Sequence, residues 1–334
     1  MRTGPLALTL GDPAGIGPEI VVKAWRALKD QGPAFFVVGD ARAVASAPTS
    51  TAGLVRPISS PTEAEALFPT AIPVLDLPLR GPVVAGQPSP AAAPAIIQWI
   101  ETAAGLALSK TVSGVVTAPI AKAPLYAAGF KFPGHTEFLG ELTAAASYDG
   151  ARGPIMMLTA ADLRVTLVTV HEPLAQVSGK LDIQAVVNAG LVTAQALRRD
   201  FGIDRPRLAV AGLNPHAGES GSIGREEVEI VEPAIRALKD LGVDARGPYP
   251  SDTLFPAEVR ATYDAALCLY HDQALIPIKM LDFWGGVNVT LGLPIVRTSP
   301  DHGTAFDIAG RGIARPDSLI AAIRLADEIA RRRP

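Results

Sequence analysis

The stretch "RLAVAGLNPHAGESG", residues 207–221, contains the pattern that decides the fold. Its first half is a short apolar run typical of a buried strand, and His216 follows closely behind it. The same pattern recurs in "RVTLVTVH", which ends at His171, and in "AALCLYH", which ends at His271. Longer segments with helical spacing separate these runs. Together they predict an α/β fold with a mainly parallel sheet.

Further short apolar runs predict strands, and the longer periodic segments between them predict helices. Only a few polar residues separate the two runs within 156–169, so a β-hairpin is expected there, with an antiparallel pair in the otherwise parallel sheet. The strands are predicted at 6–10, 34–39, 114–119, 154–158, 164–170, 207–213, 265–270 and 287–292, and the helices at 17–30, 89–109, 178–200, 225–241 and 316–332.

The composition is that of an ordinary folded protein of one large or two medium domains. Of the 334 residues, 48% are hydrophobic and 19% are charged, and the net charge is −3. This charge gives no reason to expect nucleic acid or an anionic membrane as a partner. Cys268 is the only cysteine, so an intrachain disulfide is excluded and the reducing cytoplasm is expected. The apolar run near the start is too short for a signal or membrane segment.

Three of the five histidines share one context, the carboxyl end of a predicted strand: His171, His216 and His271. Ligands of open α/β sheets bind outside the carboxyl ends of the strands. Neighbouring parallel strands would bring the three imidazoles together, and three neutral imidazoles with an open position describe a catalytic divalent-metal site. For each histidine taken alone, a strand-end residue that only makes hydrogen bonds is the alternative.

Two aspartates accompany these histidines. Asp272 follows His271 directly, and Asp252 lies in the turn-like "GPYPSDTLF". Either could orient an imidazole, join the metal shell or act as a base. The alternative is that each caps the element that follows it.

Two segments indicate anion binding at a helix start. "LGDPAGIGPEI", residues 10–20, is a glycine-rich strand-to-helix turn, although its spacing differs from G-x-G-x-x-G. "FPGHTEFLGELT", residues 132–143, places His135 and Thr136 ahead of a helical pattern. Thr136 is either a simple N-cap or, with His135 and the helix N–H groups, a phosphate ligand.

Three polar side chains lie in the predominantly apolar segment "IPIKMLDFWGGVNVTLGLPIVRTS": Lys279, Asn288 and Arg297. Charged groups inside apolar runs are costly unless they are paired. A substrate that carries a carboxylate and a phosphate would pair with them.

With these motifs assembled, the chain resembles the 4-hydroxythreonine-4-phosphate dehydrogenase family of vitamin B6 biosynthesis, nearly end to end. The motifs are "LGDPAGIGPEI", "VTAPIAK", "GHTEFL", "VTVHEPL", "GLNPHAGESGSIGREE", "PYPSDTLF", "YHDQALIPIK" and "GVNVTLGLPIVRTSPDHGTAFDIAG". The segments "GDPAGIGPE" and "DHGTAFDIAGRGIARP" are also similar to cofactor-side segments of isopropylmalate and isocitrate dehydrogenases.

The resemblance implies an α/β/α fold in two subdomains, with the active site in a cleft. Residues 1–134 and 298–334 would form a cofactor-side subdomain, and residues 135–297 a subdomain for metal, substrate and dimerisation. A homodimer with its active site at the subunit interface is implied as well.

The resemblance also implies roles for individual residues. His171, His216 and His271 would bind the metal, while Lys279, Asp272 and Asp252 are the catalytic candidates, with the base left open between Lys279 and Asp272. The residues implied to contact substrate are His135, Thr136, Lys279, Asn288 and Arg297, and those implied to lie towards the cofactor are Gly11, Asp12, Gly15, His302, Gly303 and Thr304.

The implied reaction is the NAD- or NADP-dependent oxidation of 4-phosphohydroxy-L-threonine at C3, assisted by one divalent ion of zinc, cobalt or magnesium per subunit. Two alternatives stay open at this point. One is a paralogous dehydrogenase of a phosphorylated sugar acid such as 4-phosphoerythronate or phosphothreonate. The other is a three-histidine metallohydrolase, which would release phosphate without a cofactor.

Overall fold

The structure, a computed structural model, describes residues 4–51 and 53–333; residues 1–3, 52 and 334, which fall in the predicted cofactor-side subdomain, lie outside it. The chain forms two compact units, each built from segments distant in sequence. The first comprises residues up to Ser147 together with Pro294–Arg332, and the second comprises Tyr148–Leu293 with Arg333. These divisions differ from the predicted ones after residue 134 and before residue 298, and the functions assigned to the two subdomains stay predictions.

The first unit contains a parallel sheet in the strand order β3-β4-β2-β1-β5-β12. The central strands are entirely buried because they consist of apolar residues covered on both faces. From β1 the chain passes to β2 on one side, whereas β5 lies on the other side. The strands are β1 (Leu6–Thr9), β2 (Phe35–Gly39), β3 (Val55–Ile58), β4 (Ile72–Asp76), β5 (Val115–Thr117) and β12 (Arg297–Pro300).

The helices of the first unit are α1 (Gly17–Leu28), α2 (Ala41–Ala45), α3 (Ala64–Leu67), α4 (Ala93–Leu108), α5 (Lys122–Ala127), α6 (His135–Leu142) and α12 (Asp317–Arg332). Helices α1 and α12 pack against each other, and α4 packs against β1, β2 and β5. Right-handed crossovers put α1 and α4 on opposite faces of the sheet, because the chain reverses its winding direction between them.

The second unit contains a mixed sheet in the order β11-β6-β7-β10-β8-β9. Strand β6 is antiparallel to both of its neighbours, and the remaining pairs are parallel. The strands are β6 (Ile155–Ala160), β7 (Leu163–Leu167), β8 (Arg207–Ala211), β9 (Asp244–Tyr249), β10 (Ala265–Cys268) and β11 (Val287–Leu291). The helices are α7 (Leu174–Lys180), α8 (Ile183–Phe201), α9 (Glu232–Asp240), α10 (Ala257–Arg260) and α11 (His271–Leu281).

The predicted fold class, with mainly parallel pairing and some antiparallel strands, is confirmed, and the expected hairpin is the β6–β7 pair. The expected helix over 225–241 is helical from Glu226 to Asp240, and its first part is a π-helical segment, Glu227–Val231, ahead of α9. Strands β3, β4, β9 and β12 were not predicted.

One helical stretch, Pro90–Leu108, is long and apolar enough to cross a membrane by length and composition alone. The core helices of soluble proteins pass the same test. In this fold Trp99 and Ile100 of the stretch are buried, and the Trp99 indole donates a 2.9 Å hydrogen bond to the Leu77 carbonyl. One face of the stretch therefore packs against the first unit's sheet.

Candidate active site

The three strand-end histidines follow neighbouring parallel strands of the second unit. Strand β10 lies between β7 and β8, and His271, His171 and His216 come after these three strands in that order. Pairing of β7 with β10 continues beyond the strands, since Val168 and Thr169 donate backbone hydrogen bonds to the carbonyls of Cys268 and Leu269. The sheet register thus brings the ends of the three strands that precede the histidines to one edge of the sheet.

His171 and His271 lie next to each other, with 6.0 Å between their ring centroids. The Nδ1 atom of His271 lies 2.7 Å from Oδ1 of Asp272. A carboxylate at one ring nitrogen fixes the imidazole orientation and leaves the other, Nε2, for a metal ion. Asp272 thus occupies the position of an orienting carboxylate.

His216 lies in an unusual turn. Residues 216–220 all have positive φ, from 43° to 77°, and such conformations cost about 1–2 kcal/mol for each non-glycine residue. The buried carboxylate of Glu227 holds the start of this turn. It accepts hydrogen bonds of 2.7 Å from the backbone N–H groups of Leu213 and Asn214 and one of 2.9 Å from the Asn214 amide. Gly218 is required because a Cβ there would approach Glu227 to 2.5 Å.

Gln273 ties the ends of β8 and β10 together. Its buried amide donates to the Gly212 carbonyl and to the Ser251 hydroxyl, each at 2.7 Å. Its oxygen accepts from the Leu269 N–H at 2.6 Å. Ser251 immediately precedes Asp252, whose side chain is exposed, so this network places Asp252 on the same edge of the sheet.

Within residues 4–51 and 53–333, no group of three or more histidine, cysteine or acidic side chains is close enough together to hold a metal ion. The structure brings His171 and His271 into contact, while His216 belongs to no such three-residue group. The donor chemistry nevertheless fits a divalent ion of the zinc or cobalt type, because two imidazoles adjoin, one of them with an orienting carboxylate.

Lys279 and Asn288 are the substrate candidates of the second unit. Lys279 lies on α11, about two turns or roughly 10 Å beyond Asp272, with its Nζ atom 5.3 Å from the centroid of the Phe283 ring. Asn288 lies on β11, and among the described residues its buried Oδ1 atom has no hydrogen-bond partner. An orphaned buried amide oxygen is a ready acceptor for a ligand.

Arg297, His135 and Thr136 lie in the first unit. Arg297 is 3% exposed and donates a 2.8 Å hydrogen bond from Nη2 to the Thr117 hydroxyl. Burial lowers the pKa of Arg297 to about 10, against the opposing effect of the Glu137 carboxylate, so the guanidinium is charged at neutral pH. Burial and the nearby charge of Arg297 lower the pKa of His135 well below its ordinary value, so the imidazole is neutral.

The start of α6 suits an anion. The N-cap is Gly134, which has no side chain to cap the helix, so the alternative that Thr136 is the N-cap is wrong. The Nε2 atom of His135 is buried, and it too has no hydrogen-bond partner within the described chain. The free N–H groups of the first turn and this ring nitrogen leave hydrogen-bonding capacity beside a buried guanidinium.

The glycine-rich turn after β1 packs tightly against its surroundings. A Cβ on Gly11 would lie 2.4 Å from the Pro119 carbonyl oxygen, and one on Gly15 would lie 2.8 Å from that of Thr304. The Ile16 N–H also donates to the Thr304 carbonyl at 2.9 Å. These two glycines therefore allow close packing of the turn, whereas Gly303 faces open space.

A cavity of about 230 Å³ opens beside this turn, with Asp12, Arg80, Gln87 and Ser89 among its lining residues. Burial raises the pKa of the Asp12 carboxyl. His302 places its Nδ1 atom 3.1 Å from the Gly303 carbonyl oxygen. The candidate cofactor residues Asp12, Gly15 and Thr304 are thus brought to one edge of the first unit's sheet, next to the point where the strand order reverses.

The predicted site did not include Thr117, Glu227 and Gln273, whose side chains contact the candidate residues or the segments that carry them. Each is a buried polar residue within one of the motifs that carry the family resemblance. A buried acid such as Glu227 in "GREE" could have been suspected from its place on the apolar face of the expected helix.

The sequence model of the family described as "Pyridoxal phosphate biosynthetic protein PdxA" matches residues 31–326. The 4-hydroxythreonine-4-phosphate dehydrogenase of Caulobacter vibrioides is 68% identical over 333 residues, covering 100% of this chain and 99% of that protein. The protein of the same name from Maricaulis maris is 54% identical, covering 98% of each chain. A crystal structure of 4-hydroxythreonine-4-phosphate dehydrogenase from Klebsiella pneumoniae superposes with a TM-score of 0.85 at 41% identity, covering 98% of this chain and 100% of that one.

Proposed function

This chain belongs to the family of pyridoxal phosphate biosynthetic protein PdxA, and from that premise we propose that it oxidises 4-phosphohydroxy-L-threonine at C3 with a nicotinamide cofactor and a divalent metal ion. It is a dehydrogenase of pyridoxal phosphate biosynthesis. One geometric observation carries the proposal. The imidazoles of His171 and His271 adjoin at the carboxyl ends of neighbouring parallel strands, and Asp272 contacts the Nδ1 atom of His271.

His171, His216 and His271 would hold the metal ion, of zinc, cobalt or magnesium. A bound divalent ion supplies Lewis-acid stabilisation of negative charge on the substrate hydroxyl oxygen. Asp272 orients His271, and Glu227 together with Gln273 holds the loop that carries His216 and the end of its strand.

Lys279 is the proposed base, since it lies on the helix that His271 begins. Asp272 is less suited to this role because its carboxylate is engaged with His271. Asp252 stays a candidate that orients the substrate or assists proton transfer. The Lys279 amine would accept the proton of the C3 hydroxyl, and a bound nicotinamide would supply the acceptor for the hydride at C3. The product is a 2-amino-3-oxo acid phosphate, a β-keto acid that loses carbon dioxide to give 3-amino-2-oxopropyl phosphate.

The anionic groups of the substrate are proposed to bind Arg297, His135 and Thr136, with Asn288 as a further contact. Support comes from the ring nitrogen Nε2 of His135 and the amide oxygen of Asn288, which have no hydrogen-bond partner in the part of the chain that the structure describes. A neutral imidazole beside a buried guanidinium can donate a hydrogen bond to an anion without adding a second buried charge.

The cofactor, NAD or NADP, is proposed to bind at the carboxyl edge of the first unit's sheet. Gly303 offers open space for the backbone to approach a ligand, and Asp12 lines the adjacent cavity. Gly11 and Gly15 shape the turn, and His302 and Thr304 are the remaining residues proposed to lie beside the cofactor. The adenosine hydroxyl groups can hydrogen-bond to polar lining residues of this kind.

We further propose a cytoplasmic homodimer with its active site at the subunit interface. A group of large apolar side chains is exposed on α11 and in the turn after it: Ile276, Met280, Leu281, Phe283 and Trp284. Contiguous exposed apolar patches mark interaction surfaces.

Absorbance at 340 nm with 4-phosphohydroxy-L-threonine tests the reaction, with NAD and NADP in separate assays. Each assay is repeated after chelation and after zinc, cobalt or magnesium is added back. Metal-dependent reduction of the cofactor is expected. Equal rates on 4-phosphoerythronate would indicate the sugar-acid paralogue, and phosphate release without cofactor reduction would indicate the hydrolase.

A further inference from the structure

The proposed function uses Arg297 but gives no role to the motif "VTAP", residues 116–119, whose Thr117 touches it. We propose that Thr117 is a positioning residue whose hydroxyl holds the Arg297 guanidinium in the orientation that binds an anionic group of the substrate. This inference rests on the proposed function, in which Arg297 is an anion ligand.

The sheet register creates this contact. Strands β12 and β5 are parallel, and Arg297 lies opposite Val115. Because side chains alternate between faces along a strand, Thr117 projects on the same face as Val115 and Arg297. The arginine side chain therefore extends along β5 towards its carboxyl end, where Nη2 reaches the Thr117 hydroxyl at 2.8 Å.

The chemistry of Thr117 suits a positioning role. A guanidinium binds a carboxylate or phosphate with two parallel hydrogen bonds only when its plane is fixed. The β-branched threonine side chain is stiff at χ1, so it offers a fixed acceptor. Its hydroxyl is neutral, and it therefore orients the guanidinium without neutralising the charge that attracts the anion. A carboxylate in its place would compete with the substrate.

Thr9 provides a matched comparison. It lies opposite Thr117 in the β1–β5 register and therefore on the same face. Both residues are buried, at 1% and 0% exposure. The Thr9 hydroxyl has no hydrogen-bond partner among residues 4–51 and 53–333. The two threonines differ in what their hydroxyls contact. A loss of substrate binding on replacement of Thr117, but not of Thr9, therefore reports on the contact with Arg297.

The experiment compares Thr117→Val, Thr117→Ser and Thr9→Val in the full-length, metal-loaded protein. Loss of a hydrogen bond to a charged group predicts a rise of about 10-fold or more in KM for 4-phosphohydroxy-L-threonine in T117V. A smaller change is expected in kcat, and none in the KM for the nicotinamide cofactor. T117S should have a KM within about threefold of the wild-type value, and T9V should have the wild-type KM.

A double-mutant cycle with Arg297→Met shows whether Thr117 acts through Arg297. If it does, T117V adds no further loss in the R297M background. Equal effects of T117V and T9V, or an undiminished effect of T117V beside R297M, would overturn the inference. Calorimetric titration of the same variants with inorganic phosphate gives a second readout, which tests Thr117 even if the wild-type protein fails to oxidise the substrate. If R297M does not fold, the comparison of T117V, T117S and T9V decides.

Discussion

Replacing Glu227 by Gln should destabilise the loop that carries His216. The carboxylate is 1% exposed and accepts three hydrogen bonds, two from backbone N–H groups and one from the Asn214 amide. A glutamine oriented to keep the two backbone bonds turns its own N–H donors towards the Asn214 amide, which is also a donor. A hydrogen bond to a charged group contributes about 1.5–3 kcal/mol and a neutral one about 0.5–1.5 kcal/mol. Two weakened bonds, at about 1–1.5 kcal/mol each, and one lost bond, at about 1.5–3 kcal/mol, therefore predict a loss of about 3.5–6 kcal/mol in the free energy of unfolding.

Glu229 supplies the control, since it lies two residues further on and is 57% exposed, in an ion pair with Arg225. E229Q should cost less than about 0.5 kcal/mol, as exposed pairs contribute little. Urea unfolding monitored by circular dichroism measures both variants. Zinc affinity, measured by competition with a chromophoric chelator, should fall roughly 10–100-fold in E227Q alone, because the residue holds the His216 loop. If E227Q and E229Q proved indistinguishable in both assays, the argument that Glu227 anchors this loop would fail.

Three further predictions concern the candidate site and the proposed dimer. In the folded protein the pKa of His135 lies well below its ordinary value, while the unfolded chain takes up a proton near pH ~6.5. The melting temperature should therefore fall as pH decreases below about 6.5, and His135→Gln should reduce this fall. The same pH dependence in the variant and the wild-type protein would contradict this prediction. Lys279→Met should lower kcat by about 10²–10⁴-fold with zinc affinity retained. Asp272→Asn should weaken zinc binding roughly 10–100-fold. The reverse pattern would make Asp272 the base and Lys279 the residue that supports metal binding. Met280→Glu should raise the dimer dissociation constant measured by sedimentation velocity. The control is Leu241→Glu, at another exposed apolar position, which should leave this constant unchanged.

Several of the strands that the sequence predicted are buried on both faces. Strands β1, β2 and β10 are continuous apolar runs, because both of their faces are covered. Two of the unpredicted strands, β3 and β9, lack this pattern, whereas β4 and β12 are largely buried. Strand β3, "VRPI", contains a proline and exposed positions at an edge of the first unit's sheet, and β9, "DARGPY", is largely polar at an edge of the second. Backbone pairing, rather than side-chain burial, defines such edge strands, so hydrophobic spacing does not reveal them.

The candidate site was predictable to the extent that it follows from strand order. His171 and His271 are 100 residues apart in sequence, yet the parallel pairing of β7 and β10 brings their rings together. No property of the sequence showed that Gln273 would link Gly212 to Ser251. Such contacts depend on side-chain directions and on loop conformations that only the folded backbone sets.

The second unit thus positions its histidines in two different ways, and the difference has consequences for substitution. His171 and His271 depend on the pairing of β7 with β10, which rests on a buried apolar core and tolerates volume-conserving changes. His216 lies in a left-handed turn whose conformational cost must be offset, and the hydrogen bonds of one buried carboxylate hold the start of that turn. A buried hydrogen-bond network loses much of its effect when a single member is changed. We therefore expect metal affinity to be more sensitive to Glu227 than to any single apolar residue beneath β7 and β10, although those residues contribute more to the stability of the unit.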